Sequence, residues 1–207
     1  MKILRTACCG VLIEFDGVSV LIDGVAKGIG PYRGTSEGLR KEFMENPPDF
    51  LIFTHMHEDH YDRQYAEFYK NTRYSPVLTP ENTCDIKKDG ITIKSISTRH
   101  IGNPDFPHVS YSITGEKTIW FMGDASPSML KVMENFPKPD ILFVPFAFAT
   151  TRSSWQSTLN TGALKIVVLH LPKKEEDTEG LWDKVYEIAG NDGHLIIPKI
   201  GEEILIF

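Results

Sequence analysis

The chain has 207 residues, of which 41% are hydrophobic and 24% charged, and its formal net charge is −6. That balance predicts a globular protein with one substantial core, a single domain spanning residues 1–207. An acidic surface suits phosphate backbones poorly, so broad nucleic-acid binding is not expected. No apolar run approaches the roughly 18 residues that a membrane span needs.

Met1-Lys2-Ile3-Leu4-Arg5 has the charged start of a leader peptide, but Glu14 and Asp16 follow soon after and the pattern continues as strands. Cys8, Cys9 and Cys84 are odd in number and two are adjacent, a poor disulfide framework that fits a reducing, cytoplasmic setting. Ile3–Ala7, Val11–Phe15 and Val18–Ile22 read as strands, with Asp16-Gly17 as the hairpin turn between the last two. Asp23 closes the third. The loop Gly24–Gly34 lacks the Gly-Lys-Ser/Thr of a phosphate loop and misses the dinucleotide glycine spacing, so a flexible flap is expected there. Thr35 or Ser36 caps a helix through Glu45, which Pro47-Pro48 ends.

The apolar run Phe50–Phe53 then delivers Thr54-His55-Met56-His57-Glu58-Asp59-His60, three histidines and an aspartate in the pattern His-x-His-x-Asp-His. Imidazole nitrogen and carboxylate oxygen are the donors that borderline divalent metals such as zinc prefer. Four donors this close suit two neighbouring metals better than one. Tyr61, Tyr65, Phe68 and Tyr69 next share one helical face, more suited to the core than to stacking on a ligand.

Further strands are expected at Pro76–Thr79, around Ile91–Ile96 after a turn at Lys87–Gly90, and at Tyr111–Thr114 and Thr118–Met122, the last ending in Gly123-Asp124. Helices near Ser128–Asn135, Ser154–Leu164 and Thr178–Ala189 alternate with strands Ile141–Val144 and Ile166–His170. Terminal strands follow at Leu195–Ile197 and Glu203–Phe207. Two sheets packed face to face, with helices outside each, accommodate this order.

A dinuclear centre needs more donors than the loop supplies, and His100, Asp124 and His170 each follow a β-run immediately. His55-x-His57-x-Asp59-His60, then His100, Gly123-Asp124 and His170, resembles the metallo-β-lactamase superfamily in order and spacing along essentially the whole chain. The compact size and the Val20-Leu21-Ile22-Asp23 strand look most like its small ascorbate-lactonase-like hydrolases. The resemblance implies an α/β fold, a four-layer αβ/βα sandwich of two mixed sheets flanked by helices. It implies His55, His57 and His100 on a first metal, Asp59, His60 and His170 on a second, and Asp124 bridging the two.

His108 competes with His100 for the first metal, but it lies 16 residues before Asp124 against 24 for His100. A hairpin strand and loop fit the longer span, so His100 is favoured and His108 becomes a supporting or substrate-facing group. His194 reads as structural. The sequence Thr98-Arg99-His100-Ile101-Gly102 departs from the Gly-His-Thr-x-Gly of glyoxalase-type and antibiotic-hydrolysing members, so no substrate is carried over.

Two cations roughly 3.5–4 Å apart share a water and lower its pKa toward about 7. The implied activity is hydrolysis of an ester, lactone or phosphodiester in a small, anionic molecule, with Asp59 orienting the hydroxide and Zn2+ the foremost metal, Mn2+ or Fe the alternatives. Arg99, Arg152 and Lys173-Lys174 are candidate anion contacts, and Phe146, Phe148 and Trp155 candidate pocket walls. A di-iron redox protein of the same fold is the second reading, although such proteins usually place a carboxylate where His57 stands. A metal-binding regulator without turnover is the third. A small-molecule substrate and no membrane are expected as partners, with a homo-oligomer left open.

Overall fold

The computed structural model describes residues 1–73 and 75–205. Strands β1 (Lys2–Arg5), β2 (Val11–Phe15), β3 (Val18–Ile22), β4 (Phe50–Ile52) and β5 (Val77–Leu78) form one sheet in that order. The second sheet runs β12 (Leu195–Ile196), β11 (Lys165–Leu169), β10 (Ile141–Pro145), β9 (Thr118–Phe121), β8 (Val109–Thr114), β7 (Ile91–Ser97) and β6 (Ile86–Lys88). Both sheets are mixed: β3, β4 and β5 are parallel neighbours, as are β9 to β12, whereas β1–β2–β3 and β6–β7–β8–β9 are antiparallel.

Strand alternation sorts the apolar residues into three layers of core. Ile52 of β4 and Val167 of β11 face each other's sheet in the central layer. Leu51 and Phe53 turn outward beneath α1 (Glu37–Glu45) and α2 (Arg63–Arg73), and Ile166 and Val168 turn outward beneath α4 (Arg152–Leu159) and α5 (Leu181–Ala189). Each such side chain, fully buried, contributes about 1.5–3 kcal/mol, and because both faces of these strands are covered they read as continuous apolar runs rather than alternating ones. The result is the expected αβ/βα sandwich.

Local signals fix the helix ends. Ser36 caps α1 by accepting from Leu39 N–H, and Asp62 Oδ1 accepts from Tyr65 N–H at 3.0 Å to start α2. The other oxygen of Asp62 takes Arg40 at 2.7 Å, which ties α1 to α2.

Several boundaries move. Lys87 and Lys88 belong to β6, and the turn is only Asp89-Gly90, both with positive φ. The expected helix at 128–135 shortens to a 3-10 turn (Pro127–Met129) and α3 (Leu130–Met133). α4 begins at Arg152 and ends before Gly162, where φ is +69°. In place of a strand at 203–207 there is a single bridge, Glu203 to Leu4, and Ile206 and Phe207 lie outside the described residues. No helix among the described residues is long and apolar enough to cross a membrane.

Candidate metal centre

The directions of β3, β4, β7, β9 and β11 bring the residues just beyond their C-terminal ends to one edge of the sandwich: Asp23, Thr54–His60, His100, Asp124 and His170. The sheets are joined there by hydrogen bonds. Val109 N–H donates to Thr54 O at 2.9 Å and Tyr111 O–H to Phe53 O at 2.9 Å, so the loop after β4 is locked onto the opposite sheet.

Two groups of donors converge. Ligand atoms of His55, His57 and His100 lie within 4.8 Å of one another, as do those of Asp59, His60, His170 and Cys9. Asp124 sits between them. Its Oδ2 is 3.9 Å from His55 Nε2, 3.7 Å from His100 Nε2 and 3.3 Å from His170 Nε2, while Oδ1 is 3.4 Å from His60 Nε2. The buried Nε2 atoms of His55, His60 and His100 and Oδ1 of Asp124 have no hydrogen-bond partner among the described residues. An unpaired buried polar group costs about 1–3 kcal/mol, so four pointing at one small region fit a site built for cations.

The remaining ring nitrogens explain why the lone pairs point inward. Asp23, fully buried, accepts from Thr54 N–H at 2.7 Å, from Thr54 O–H at 2.6 Å and from His60 Nδ1–H at 2.8 Å. With its proton given to Asp23, Thr54 Oγ1 accepts from His55 Nδ1–H at 3.0 Å. His100 Nδ1–H donates to Ile101 O. All three Nδ1 atoms therefore carry protons when the rings are neutral, leaving each Nε2 with a free pair. One aspartate holds a histidine from each donor group.

In the cation-free protein, burial and neighbouring imidazoles push His55 well below the usual histidine range. Burial also opposes charge on His60 and His170, but Asp124 with Asp23 lifts the first well above its usual value, and Asp124 with Asp59 raises the second. Burial opposes ionisation of Asp124 too, yet His170 and His60 hold its carboxyl well below the usual range. The carboxylates thus draw positive charge to this edge, as protons where no metal is bound.

The seven residues expected as ligands, His55, His57, Asp59, His60, His100, Asp124 and His170, are all brought together. His108 is not available as a ligand. Its Nε2 accepts from Asp124 N–H at 3.0 Å and its Nδ1 pairs with Thr98 Oγ1 at 2.7 Å, so it supports Asp124 from behind, and the substrate-facing alternative finds no free nitrogen. Burial pushes His108 down to about 3, which keeps it neutral. Arg99 is exposed beside His100. Lys173 pairs with Glu176, Lys174 lies over Trp182, and Phe148 and Trp155 belong to the core under α4. His194 is exposed, with Nδ1 bonded to Leu164 O.

The expected flap is tied down instead. Lys27 N–H donates to Glu58 O, Arg33 O accepts from Cys8 N–H and Pro31 O accepts from Lys173 N–H. These bonds set Tyr32 against His170, 4.4 Å between ring centroids. Phe106 stacks on His57 at 4.1 Å and Phe146 stands 5.8 Å from His170, so three half-buried aromatic rings rim the donors. Tyr32, Phe106 and the Asp23–Thr54 pair were missed as site residues. A carboxylate ending the strand parallel to β4 was the one available signal.

A two-sheet sandwich with histidine and carboxylate donors gathered at one edge defines a metal-site fold. The chain belongs to the metallo-β-lactamase superfamily: residues 4–160 match the family described as a beta-lactamase superfamily domain. No curated protein sequence matches the chain. Among solved structures it is similar to a possible metal-dependent hydrolase from Veillonella parvula DSM 2008, with TM-score 0.71 and 13% identity over 100% of this chain and 99% of that one. It is also similar to isothiocyanate hydrolase from Delia radicum gut bacteria, with TM-score 0.71 and 17% identity over 100% and 99% of the two chains. CmlA, a diiron beta-hydroxylase from Streptomyces venezuelae, matches at TM-score 0.62 and 13% identity over 99% of this chain and 54% of that one. At these identities the likeness is one of fold.

Proposed function

We propose that the protein is a cytoplasmic hydrolase working with two divalent metal ions, zinc foremost, on an ester, lactone or phosphodiester bond of a small anionic molecule, with residues 1–207 acting as one domain. The observation that carries this reading is the set of unpartnered buried Nε2 atoms of His55, His60 and His100 around Asp124. Bound cations would supply hydroxide at neutral pH and polarise a carbonyl or phosphoryl oxygen.

His55, His57 and His100 would hold one cation, and Asp59, His60 and His170 the other. Asp124 reaches both donor sets and would offset the repulsion between two cations held there. Asp59, in the second set, would orient the attacking oxygen. Tyr32, Phe106 and Phe146, packed against His170 and His57, would shield the donors from bulk water. Arg99, exposed next to His100, draws the anionic end of the substrate.

The test is metal analysis of the purified protein followed by chelation, reloading with zinc or manganese, and a panel of anionic lactones, esters and phosphodiesters. Roughly two metals per chain and turnover of one of these classes are expected. Its lactone members test the narrower likeness to ascorbate-lactonase-like hydrolases. Activity on neutral amides alone, or a protein that retains no metal, would overturn the proposal. The fold shared with a diiron beta-hydroxylase favours one second reading, di-iron redox chemistry. Bound iron with an optical spectrum that bleaches on reduction would support it against hydrolysis.

A further inference from the structure

The seven expected ligands leave one donor of this edge without a role. Cys9 is buried, and its sulfur lies within 4.8 Å of ligand atoms of Asp59, His60 and His170. It does not arrive there by chance packing. Gly10 runs so close to β3 that a Cβ on it would lie 2.1 Å from Asp23 O, which draws the β1–β2 turn beneath the strand ends. Cys8 O accepts from His170 N–H at 3.2 Å and Cys8 N–H donates to Arg33 O at 2.9 Å, so the turn is pinned on both sides. The neighbouring thiol has a partner of its own: Cys8 Sγ donates to Leu171 O at 3.5 Å, and it is not among the clustered donors. Cys9 also shares with Asp124 and His170 the lining of a cavity of about 10 Å³. His60 Nε2, fully buried and unpartnered, is aimed into the same donor group.

We infer that Cys9 is a thiolate ligand of the second metal, completing a set of Asp59, His60, His170 and Cys9 beside the bridging Asp124. This rests on the metal-centre reading above. On binding, the Cys9 S–H bond breaks, its proton leaves to solvent, and the sulfur electron pair goes to the cation, as metal-bound thiols generally do. The two sets then differ in kind. The first is all imidazole, while the second adds a soft, anionic sulfur, which favours zinc or ferrous iron over manganese or magnesium. The all-imidazole set is left with the more electrophilic cation.

The experiment loads the metal-free, full-length protein with Co2+ and records its absorption spectrum. Visible ligand-field bands report that the ion is bound, and a near-ultraviolet sulfur-to-cobalt charge-transfer band reports a thiolate ligand. Both are expected in the wild type. Cys9→Ser should lose the charge-transfer band and keep the visible bands, while Cys8→Ser keeps both. Visible bands without charge transfer in the wild type would overturn the inference and leave the metal centre standing. Loss of the band in Cys8→Ser but not in Cys9→Ser would overturn it in favour of the other cysteine. Failure of the wild type to bind cobalt at all would overturn both readings. If Cys9→Ser fails to fold, the wild-type band and its fate in Cys8→Ser still decide: a band kept in Cys8→Ser supports Cys9, and a band lost there overturns the inference.

Discussion

Asp23 is the residue on which both donor sets depend, and replacing it by Asn separates its electrostatic role from its place in the chain. Its φ of +47° is a left-handed conformation that Asn tolerates as well as Asp, so the backbone of the variant should be preserved. The carboxylate accepts three hydrogen bonds, two at Oδ2, from Thr54 O–H and His60 Nδ1–H. In Asn the carbonyl oxygen can keep Thr54 N–H, but an amide NH2 then stands where two donors used to arrive. The least costly repair is to reverse both: the amide donates to Thr54 Oγ1 and to His60 Nδ1. His60 is thereby forced into the tautomer with its proton on Nε2, aimed at the donor group that should hold a metal. Loss of such an orienting partner typically weakens metal binding 10–100-fold, roughly 1.4–2.7 kcal/mol. Chelator competition with zinc, monitored for Asp23→Asn against wild type, measures this. Fold stability of the metal-free protein in urea should fall by only about 1–3 kcal/mol, because the hydrogen-bond count is largely retained. A variant with zinc affinity within about threefold of wild type would refute the tautomer argument.

Asp59→Ala and His57→Ala should each abolish turnover while leaving the circular dichroism spectrum unchanged, since His57 is half exposed and neither residue packs in the core; near-normal activity in either would exclude it as a ligand. Gly123→Ala should lose about 1–3 kcal/mol from its left-handed backbone alone, φ being +56°, and should also lose metal, because the new Cβ would meet Thr54 Cβ at 2.6 Å and displace His55. Gly102→Ala is the control: φ is +77° but nothing lies within 4 Å, so urea stability falls and metal affinity stays. Metal loading at neutral pH should release protons, because the carboxylates raise His60 and His170 in the cation-free protein and the metal must displace those protons. Affinity therefore falls as the pH is lowered, and calorimetry in buffers of different ionisation heat should register the release; binding without proton release would contradict the assigned charges.

The sequence order His55-x-His57-x-Asp59-His60 was legible because its donors sit on one loop, and His100, Asp124 and His170 because each directly follows an apolar β-run. Strand existence was readable for the same reason: alternation in β2 or β7 reports which face is buried. Helix ends were less so. α3 shrinks because Phe136 and Pro137 turn the chain, with Phe136 N–H returning to Met133 O. The glycine-rich loop looked free because its anchors, Glu58, Cys8 and Lys173, are distant in sequence. The same holds for Cys9, which in sequence is one of two adjacent cysteines and which the turn carries to His170, distant in the chain. Long-range placement, not residue chemistry, was the hidden part.

Backbone strain marks the same residues independently. Three non-glycine residues with positive φ are described: Asp23 at +47°, Asp89 at +49° and His170 at +59°. Asp89 precedes Gly90 in the tight turn between β6 and β7, where hairpin geometry asks for it. No such turn accounts for the other two. Asp23 ends β3 of one sheet and His170 ends β11 of the other, and each conformation costs of order 1–3 kcal/mol. Both are held by backbone bonds from a neighbouring segment, Asp23 N–H to Ile52 O and His170 N–H to Cys8 O. The twist turns one carboxylate and one imidazole inward from opposite sheets. A relaxed extended residue at position 170 would carry the ring away from Asp59 and Asp124, and at position 23 would release Thr54 and His60. The strain is thus spent where the two halves of the sandwich bring their histidine and carboxylate donors together.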